Sequence, residues 1–162
     1  SVLGAPQADV ATSALNNIIA DSKSQGQTID LINTPTDTAT LGAVQALMTN
    51  DMWYPASNSK HVFVISHDGA STVLDYVRQD YVDSEIVIDV MGVGGIAAEV
   101  LNAYPMKGKE VPTSGEFVPQ GKYLNKKVEF SKGNCGPTIV LAPYKVTKAN
   151  ASDPLIWGNE VK

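Results

Sequence analysis

HVFVISHDG, residues 61–69, is the most informative segment of the chain. Its first half is a run of apolar, mostly β-branched residues, which predicts a strand buried on both faces, as in a parallel sheet covered by helices. The run ends abruptly in polar residues and Gly69. Ligands of open α/β sheets bind beyond the carboxyl ends of the strands. Asp68 is therefore placed either to accept hydrogen bonds from a ligand or to cap a helix that begins near Ser71.

Strands and helices alternate on both sides of this segment. In chain order the pattern predicts a short strand at 2–4, a helix from Asp9 to Gly26, a strand at 29–32, a helix from Asp37 to about Asn50, the strand at 62–65, a helix around 73–81, a strand at 85–90 and a helix at 92–104. This alternation predicts a parallel sheet with right-handed crossovers. We expect an α/β fold in which a three-layer parallel sheet is flanked by helices.

The regular alternation is lost after residue 106. Residues 107–162 are predicted to form an irregular C-terminal segment, with possible edge strands at 126–130 and 138–141. No repeat or low-complexity linker divides the chain, so we expect one domain over residues 1–162.

Composition and charge exclude several classes of function. The chain has 162 residues, a formal net charge of −5 and an apolar fraction of 43%. Nucleic-acid binding requires clustered Lys and Arg, which an acidic chain of this kind does not favour. Cys135 is the single cysteine, so neither an internal disulfide nor a cluster of thiol metal ligands can form.

Three predicted strands are followed by, or end in, an acidic residue: Asp37, Asp68 and Asp89. Adjacent parallel strands lie about 4.8 Å apart, so these carboxylates can line one crevice if the strands are neighbours. Several carboxylates in a dry pocket suit a ligand rich in hydroxyl groups or a hard cation such as calcium or magnesium. The alternative is that two of the three acids cap helices.

Two further patterns have competing interpretations. Residues 92–97 read GVGGIA, which matches the dinucleotide-binding pattern G-x-G-x-x-G/A, but residues 109–115 do not form the second strand which that fold requires. The glycines are better explained by a flexible helix start. Trp157 either stacks on a sugar ring or fixes the C-terminal tail to the body of the protein, and we favour the second role.

Four motifs, in the right order, resemble one family. Residues 36–47, TDTATLGAVQAL, resemble the N-D-x-M-A-x-G-A-x-x-A-L stretch of the type I periplasmic sugar-binding proteins of the ribose-binding class. Residues 61–69 match the family's x-V-x-V-V-G-x-D-G strand. Residues 85–99, followed by KGKEV at 107–111, resemble the next strand, helix and K-G-x-x-V turn. The segments 146–150 and 153–159 are similar to the V-T-K-x-N and D-P-x-L-W-G-N ending.

The resemblance implies an incomplete fold, because the family has two α/β lobes that close on a sugar. This chain resembles only the second half of such a protein, a C-terminal lobe. In the family, the helix that matches residues 92–106 packs on the first lobe. We therefore expect its apolar face to have no partner within the chain, and to pack on a first lobe from another chain or on a copy of this chain by exchange of the helix.

The resemblance also implies a binding function. Asp68 matches the sugar-binding Asp of the family, Thr36 stands where the ribose-binding type has Asn, and Asp89 stands near its Gln; Asp37 completes the expected site. The implied protein is a periplasmic or secreted solute-binding module for a sugar or polyol. It would feed a membrane transporter or receptor without catalysis, cofactor, metal or nucleic acid. The alternative is a lobe that binds no sugar and self-associates as an interaction or structural protein.

Overall fold

The computed structural model of the chain describes residues 7–160, so the strand predicted at residues 2–4 lies outside the described part. The helices are α1 (Ala8–Ser24), α2 (Asp37–Thr49), α3 (Ser71–Arg78), α4 (Val90–Ala103) and α5 (Trp157–Glu160), with a 3₁₀ turn at Pro105–Lys107. The strands are β1 (Leu31–Asn33), β2 (Phe63–Asp68), β3 (Ser84–Val87), β4 (Gly115–Phe117), β5 (Val128–Gly133), β6 (Gly136–Ile139) and β7 (Tyr144–Val146). No helix between residues 7 and 160 is long and apolar enough to cross a membrane.

The main sheet has the order β1-β2-β3-β7. Its first three strands are parallel, and β7 returns antiparallel to β3. Together with α1, α2, α3 and α5 this sheet forms what we call the first unit, whose core is rich in valine and leucine. The predicted α/β class, with a parallel sheet flanked by helices, is confirmed. The carboxyl ends of β1, β2 and β3 lie at one edge of the sheet, which is where the predicted site is placed.

The prediction that β2 is buried on both faces is wrong. Val64 is fully buried in the core, whereas Phe63 is 41% exposed, and its partner in β1, Leu31, is 55% exposed. Side chains alternate between the two faces of a strand. The side chains of α1, α2 and α3 pack against the face that contains Ile32 and Val64, and the opposite face remains partly open around Leu31 and Phe63.

The segment predicted to be irregular contains strands β4 to β7. Strands β4, β5 and β6 form an antiparallel sheet that packs on α4, and we call this assembly the second unit. Ile96 and Val100 of α4 are buried against Val128 and Phe130. The expectation that the apolar face of α4 has no partner within the chain is therefore wrong for this part of the helix. Its remaining large apolar residues are about half exposed: Val90, Met91, Val93 and Leu101.

Close contacts explain two of the three glycines in α4, a helix that begins at Val90 and includes all three. A Cβ atom on Gly92 would lie 2.3 Å from Asp89 Oδ2, and one on Gly95 would lie 2.1 Å from the hydroxyl of Tyr123. These two positions need glycine because there is no space for a Cβ atom. The sequence had instead suggested a flexible helix start. Residues 109–114 form no strand, so the second strand of a dinucleotide-binding unit does not follow the glycines.

Candidate functional site

Asp68 ends β2 at the edge of the sheet in a strained backbone conformation. Its φ is 116°, a value that residues other than glycine rarely adopt. Its Oδ2 accepts a hydrogen bond from the backbone N–H of Asp37 at 3.3 Å, and no donor among residues 7–160 binds its Oδ1. The N-cap of α3 is Ala70. Asp68 thus does not cap the helix that follows it; its carboxylate faces the start of α2 and keeps one oxygen free.

Asp37, the first residue of α2, is buried beneath the loop Asp68–Ala70, which we call the Asp68 loop. Its Oδ2 accepts from the N–H groups of Gly69 at 3.0 Å and Ala70 at 2.5 Å, and its Oδ1 accepts from the Ser66 hydroxyl at 2.8 Å. Only 5% of Asp37 is exposed. Oδ2 therefore holds the loop and Oδ1 binds Ser66 of β2, so little of this carboxylate is accessible to a ligand.

Thr36 lies at the same edge as Asp68. It is the N-cap of α2, and its Oγ1 accepts from the Ala39 N–H at 3.2 Å. Its hydroxyl hydrogen is not used within residues 7–160, and the residue is half-buried. Asp68 binds the N–H of the very next residue, Asp37, so the Asp68 carboxylate and the Thr36 hydroxyl meet the same helix start. Such a pair suits a ligand hydroxyl, which both donates and accepts.

Both carboxylate oxygens of Asp89 are bonded within the second unit. It is the N-cap of α4, only 3% exposed, and its Oδ1 accepts from the Gly92 N–H at 2.9 Å. Its Oδ2 accepts from the N–H and the side-chain amide of Asn125, at 2.9 and 3.0 Å. Asn125 in turn donates to the Ala142 carbonyl at 3.3 Å and accepts from the Ala142 N–H at 2.9 Å. Asp89 thus fixes the second unit rather than joining Asp68.

Glu85 is a residue at this edge that sequence reasoning missed. It lies opposite Ser66 in the register of β2 and β3 and is fully buried. Its Oε1 accepts from the Gly69 N–H at 2.7 Å, while its Oε2 has no hydrogen-bond partner among the described residues. Burial, followed by the hydrogen bond and the charge of neighbouring Asp37, raises the pKa of Glu85 to about 9. A charged residue at the start of a strand usually faces solvent, so the sequence carries no signal for this role.

A chain of buried hydroxyl groups ends at Asp37. Thr34 Oγ1 and Thr40 Oγ1 are 2.6 Å apart, Thr40 Oγ1 and Ser66 Oγ are 2.5 Å apart, and Ser66 donates to Asp37. Each hydroxyl has one hydrogen to donate. Ser66 gives its hydrogen to Asp37, whereas Thr40 also lies 3.0 Å from the Thr36 carbonyl and Thr34 lies 3.2 Å from the Ile65 carbonyl. The Ser66 hydroxyl dipole therefore points towards Asp37, which favours a negative charge there.

The tryptophans serve packing. Trp157 donates from Nε1 to the carbonyl of Asp68 at 2.7 Å, so it holds the C-terminal segment against the Asp68 loop. Trp53 packs between Tyr76 and Tyr81, with ring centroids 5.4 and 5.0 Å apart. Trp157 is half-buried next to Asp68, whereas Trp53 packs against the two tyrosines. A cation site is not formed either, since no group of three or more His, Cys, Asp or Glu among residues 7–160 is arranged to hold a metal ion.

An apolar groove of about 460 Å³ lies on the second unit, between α4 and strands β5 and β6. Val93, Ala97 and Leu101 of α4 line one side, and Phe130 and Ile139 line the other. None of the residues of the predicted site borders this groove. It is an apolar surface separate from the polar edge at Asp68.

Solved structures show what this fold is similar to. One is an ABC transporter solute-binding protein from Bacillus halodurans C-125 with bound myo-inositol, at 16% identity and a TM-score of 0.63 over 93% of this chain. A second is the periplasmic binding component of the arabinose ABC transporter from Shewanella sp. ANA-3, at 14% identity and a TM-score of 0.62 over 95% of this chain. A third is a sugar ABC transport substrate-binding protein from Bordetella parapertussis 12822, at 11% identity and a TM-score of 0.69 over 100% of this chain.

The match covers only part of those proteins. This chain spans 40%, 41% and 44% of their respective lengths. No family model matches the sequence, and no curated protein matches it. The chain therefore has the fold of a partial lobe of the type I periplasmic sugar-binding proteins, as the sequence motifs predicted, and the three similar structures are all binding proteins by their descriptions.

Proposed function

We propose that this chain is one half of a two-lobed clamp that binds a sugar or polyol in the periplasm or outside the cell. It would pass the ligand to a membrane transporter or receptor and catalyse no reaction. The ligand would meet Asp68 and Thr36 at the edge of the main sheet. Asp37 and Asp89, which were expected to bind the ligand directly, would act by holding the Asp68 loop and the start of α4.

The backbone of Asp68 is the observation that carries this proposal. A non-glycine residue in a sparsely populated conformation costs about 1–3 kcal/mol and is found mainly at ligand sites and switch regions. Here the strained residue lies at the carboxyl end of a parallel strand and leaves one carboxylate oxygen free, while the other meets the same helix start as the Thr36 hydroxyl. The ligands bound by the similar structures, myo-inositol and arabinofuranose, are rich in hydroxyl groups.

The other half of the clamp would be a first lobe from a separate chain or from a second copy that exchanges α4. The half-exposed residues Val90, Met91, Val93 and Leu101, together with the apolar groove beside them, support a partner on this side. The same surface favours the alternative function, a lobe that self-associates and binds no sugar. The two differ in whether a hydroxyl-rich ligand binds at Asp68.

Calorimetry tests the sugar-binding proposal. Monosaccharides and myo-inositol would be titrated into two preparations. One is the chain alone, and the other is the complex that a tagged form of the chain pulls out of the cells that naturally make it. We expect one ligand to bind the complex and Asp68→Asn to weaken it about 10- to 100-fold, because a hydrogen bond to a charged group contributes about 1.5–3 kcal/mol. The control is Asp51→Asn, an exposed Asp with φ of 56° outside the site.

Two results would count against the proposal in different ways. If no sugar or polyol gives heat with either preparation, the chain does not bind this class of ligand. If a ligand binds but Asp68→Asn and Asp51→Asn both leave its affinity unchanged, the ligand site lies elsewhere.

A further inference from the structure

Two buried carboxyl groups converge on one backbone donor beneath the Asp68 loop. The N–H of Gly69 lies 3.0 Å from Asp37 Oδ2 and 2.7 Å from Glu85 Oε1. A single donor cannot neutralise two carboxylates, and two negative charges this close in a buried site repel strongly. One of the two groups therefore carries a proton.

The contacts identify Glu85 as the protonated member. Asp37 accepts from two N–H groups and from the Ser66 hydroxyl. Glu85 accepts from one N–H only, is fully buried, and has an oxygen, Oε2, that faces no donor. An oxygen without a donor is where a carboxylic acid carries its hydrogen. The shift of the pKa of Glu85 to about 9 agrees with this assignment.

The surrounding charges also favour the neutral form of Glu85. Asp37 comes from α2 and Asp68 from the end of β2, and both are negative. His67 binds the Thr34 carbonyl through Nδ1, and strand β7 places Val146 opposite Glu85. Within residues 7–160, no Lys, Arg or His forms an ion pair with Asp37, Asp68 or Glu85. No positive charge therefore compensates a second carboxylate under the loop.

We propose that Glu85 is a positioning residue: its proton removes the repulsion with Asp37, so that both groups can bind the Gly69 N–H, and this fastens the Asp68 loop and sets the direction of the Asp68 carboxylate. When base removes this proton, Asp37 and Glu85 repel each other and compete for the Gly69 N–H. The Asp68 loop then loses its attachment to these two carboxyl groups. The role in ligand affinity rests on the proposed function, but the attachment of the loop does not. The site is thus regulated by pH through a group that never touches the ligand.

Trp157 provides a direct reading of the loop, because its Nε1 donates to the Asp68 carbonyl. In a Trp53→Phe background it is the only tryptophan, since the chain has two. We would titrate its emission without ligand from pH 6 to 10.5 in this background and in the same background with Glu85→Gln. We expect a red shift with a midpoint near pH 9 in the first protein and none in the second. Glu129→Gln, an exposed glutamate of β5, is the matched control and should retain the transition.

The outcomes separate the proposal from its alternatives. Ionisation of tyrosines would change the emission in all three proteins equally, so the decisive quantity is the difference between the titration curves. A red shift near pH 9 that is as large in Glu85→Gln as in the parent overturns the role of Glu85. Absence of a transition in the parent does the same. If Glu85→Gln does not fold, infrared spectroscopy of the parent decides: a protonated carboxyl band at pH 7 that disappears with the same midpoint supports the proposal, and its absence at pH 7 refutes it. Because no sugar is used, failure of the proposed function leaves this result unaffected.

Discussion

Asp68 binds the backbone at the start of α2, and Asp37 binds the backbone just before the start of α3. Asp68 accepts from the first N–H of α2, and Asp37 accepts from the two N–H groups that precede α3. Free N–H groups at a helix start need acceptors, and a negative charge there is stabilised by the helix dipole. The reciprocal bonds hold two neighbouring helix starts at one edge of the sheet. The sequence placed both acids at this edge, but it could not show which of them would remain accessible.

Asp68→Gly tests whether the carboxylate serves the fold or a ligand. Glycine adopts a φ of 116° without strain, so we expect the free energy of unfolding to rise by up to about 1 kcal/mol after the loss of the 3.3 Å hydrogen bond to Asp37, while ligand binding is lost. Urea unfolding measures the first effect and calorimetry the second. Asp51→Gly, at φ 56°, is the control for backbone strain. If the free energy of unfolding falls by more than about 1 kcal/mol in Asp68→Gly but not in Asp51→Gly, the carboxylate stabilises the fold.

Helix α4 offers a matched pair of glycines. A Cβ on Gly95 would lie 2.1 Å from the hydroxyl of Tyr123, whereas one on Gly94 would meet nothing within 4 Å. We expect Gly95→Ala to lower the free energy of unfolding by about 1–3 kcal/mol through overpacking. Gly94→Ala should raise it by up to about 1 kcal/mol, because alanine is the better helix former. Urea unfolding followed by circular dichroism measures both, and equal effects would show that Tyr123 moves aside freely.

Elements with a strong local pattern were predictable. Helix α2 begins at Asp37 as expected, and β2 ends at Asp68, because apolar periodicity and capping residues act over a few positions. Strand β7 was missed because three residues that pair with β3 from far along the chain carry little local signal. Asp89 was assigned to a strand because the apolar run continues past Val87, although its side chain caps α4. Glu85 was missed because its burial depends on neighbours distant in sequence.

At the scale of the whole molecule, the half-exposed apolar residues of α4 predict association. Val93→Glu places a charge on this surface without entering the core of the second unit, since Val93 is 54% exposed. If a partner lobe or a second copy covers the surface, we expect light scattering to show a lower mass for this variant than for the parent protein or complex. Ile96→Glu would not be informative, because Ile96 is 2% exposed within its own core.

Val10→Glu is the control for the same substitution elsewhere, because Val10 is a 37% exposed valine on α1. A parent protein that is monomeric and copurifies with no second polypeptide would refute both the two-chain clamp and the self-associating lobe. If the mass of the complex is unchanged in Val93→Glu, the interface does not include this surface of α4.

The two units are joined twice, once between β3 and α4 and once between β6 and β7. Asn125 is bonded to both connections, through Asp89 on the first and Ala142 on the second. A single side-chain amide thus fastens the outgoing and the returning connection to each other, so loss of Asn125 would release both of them at once.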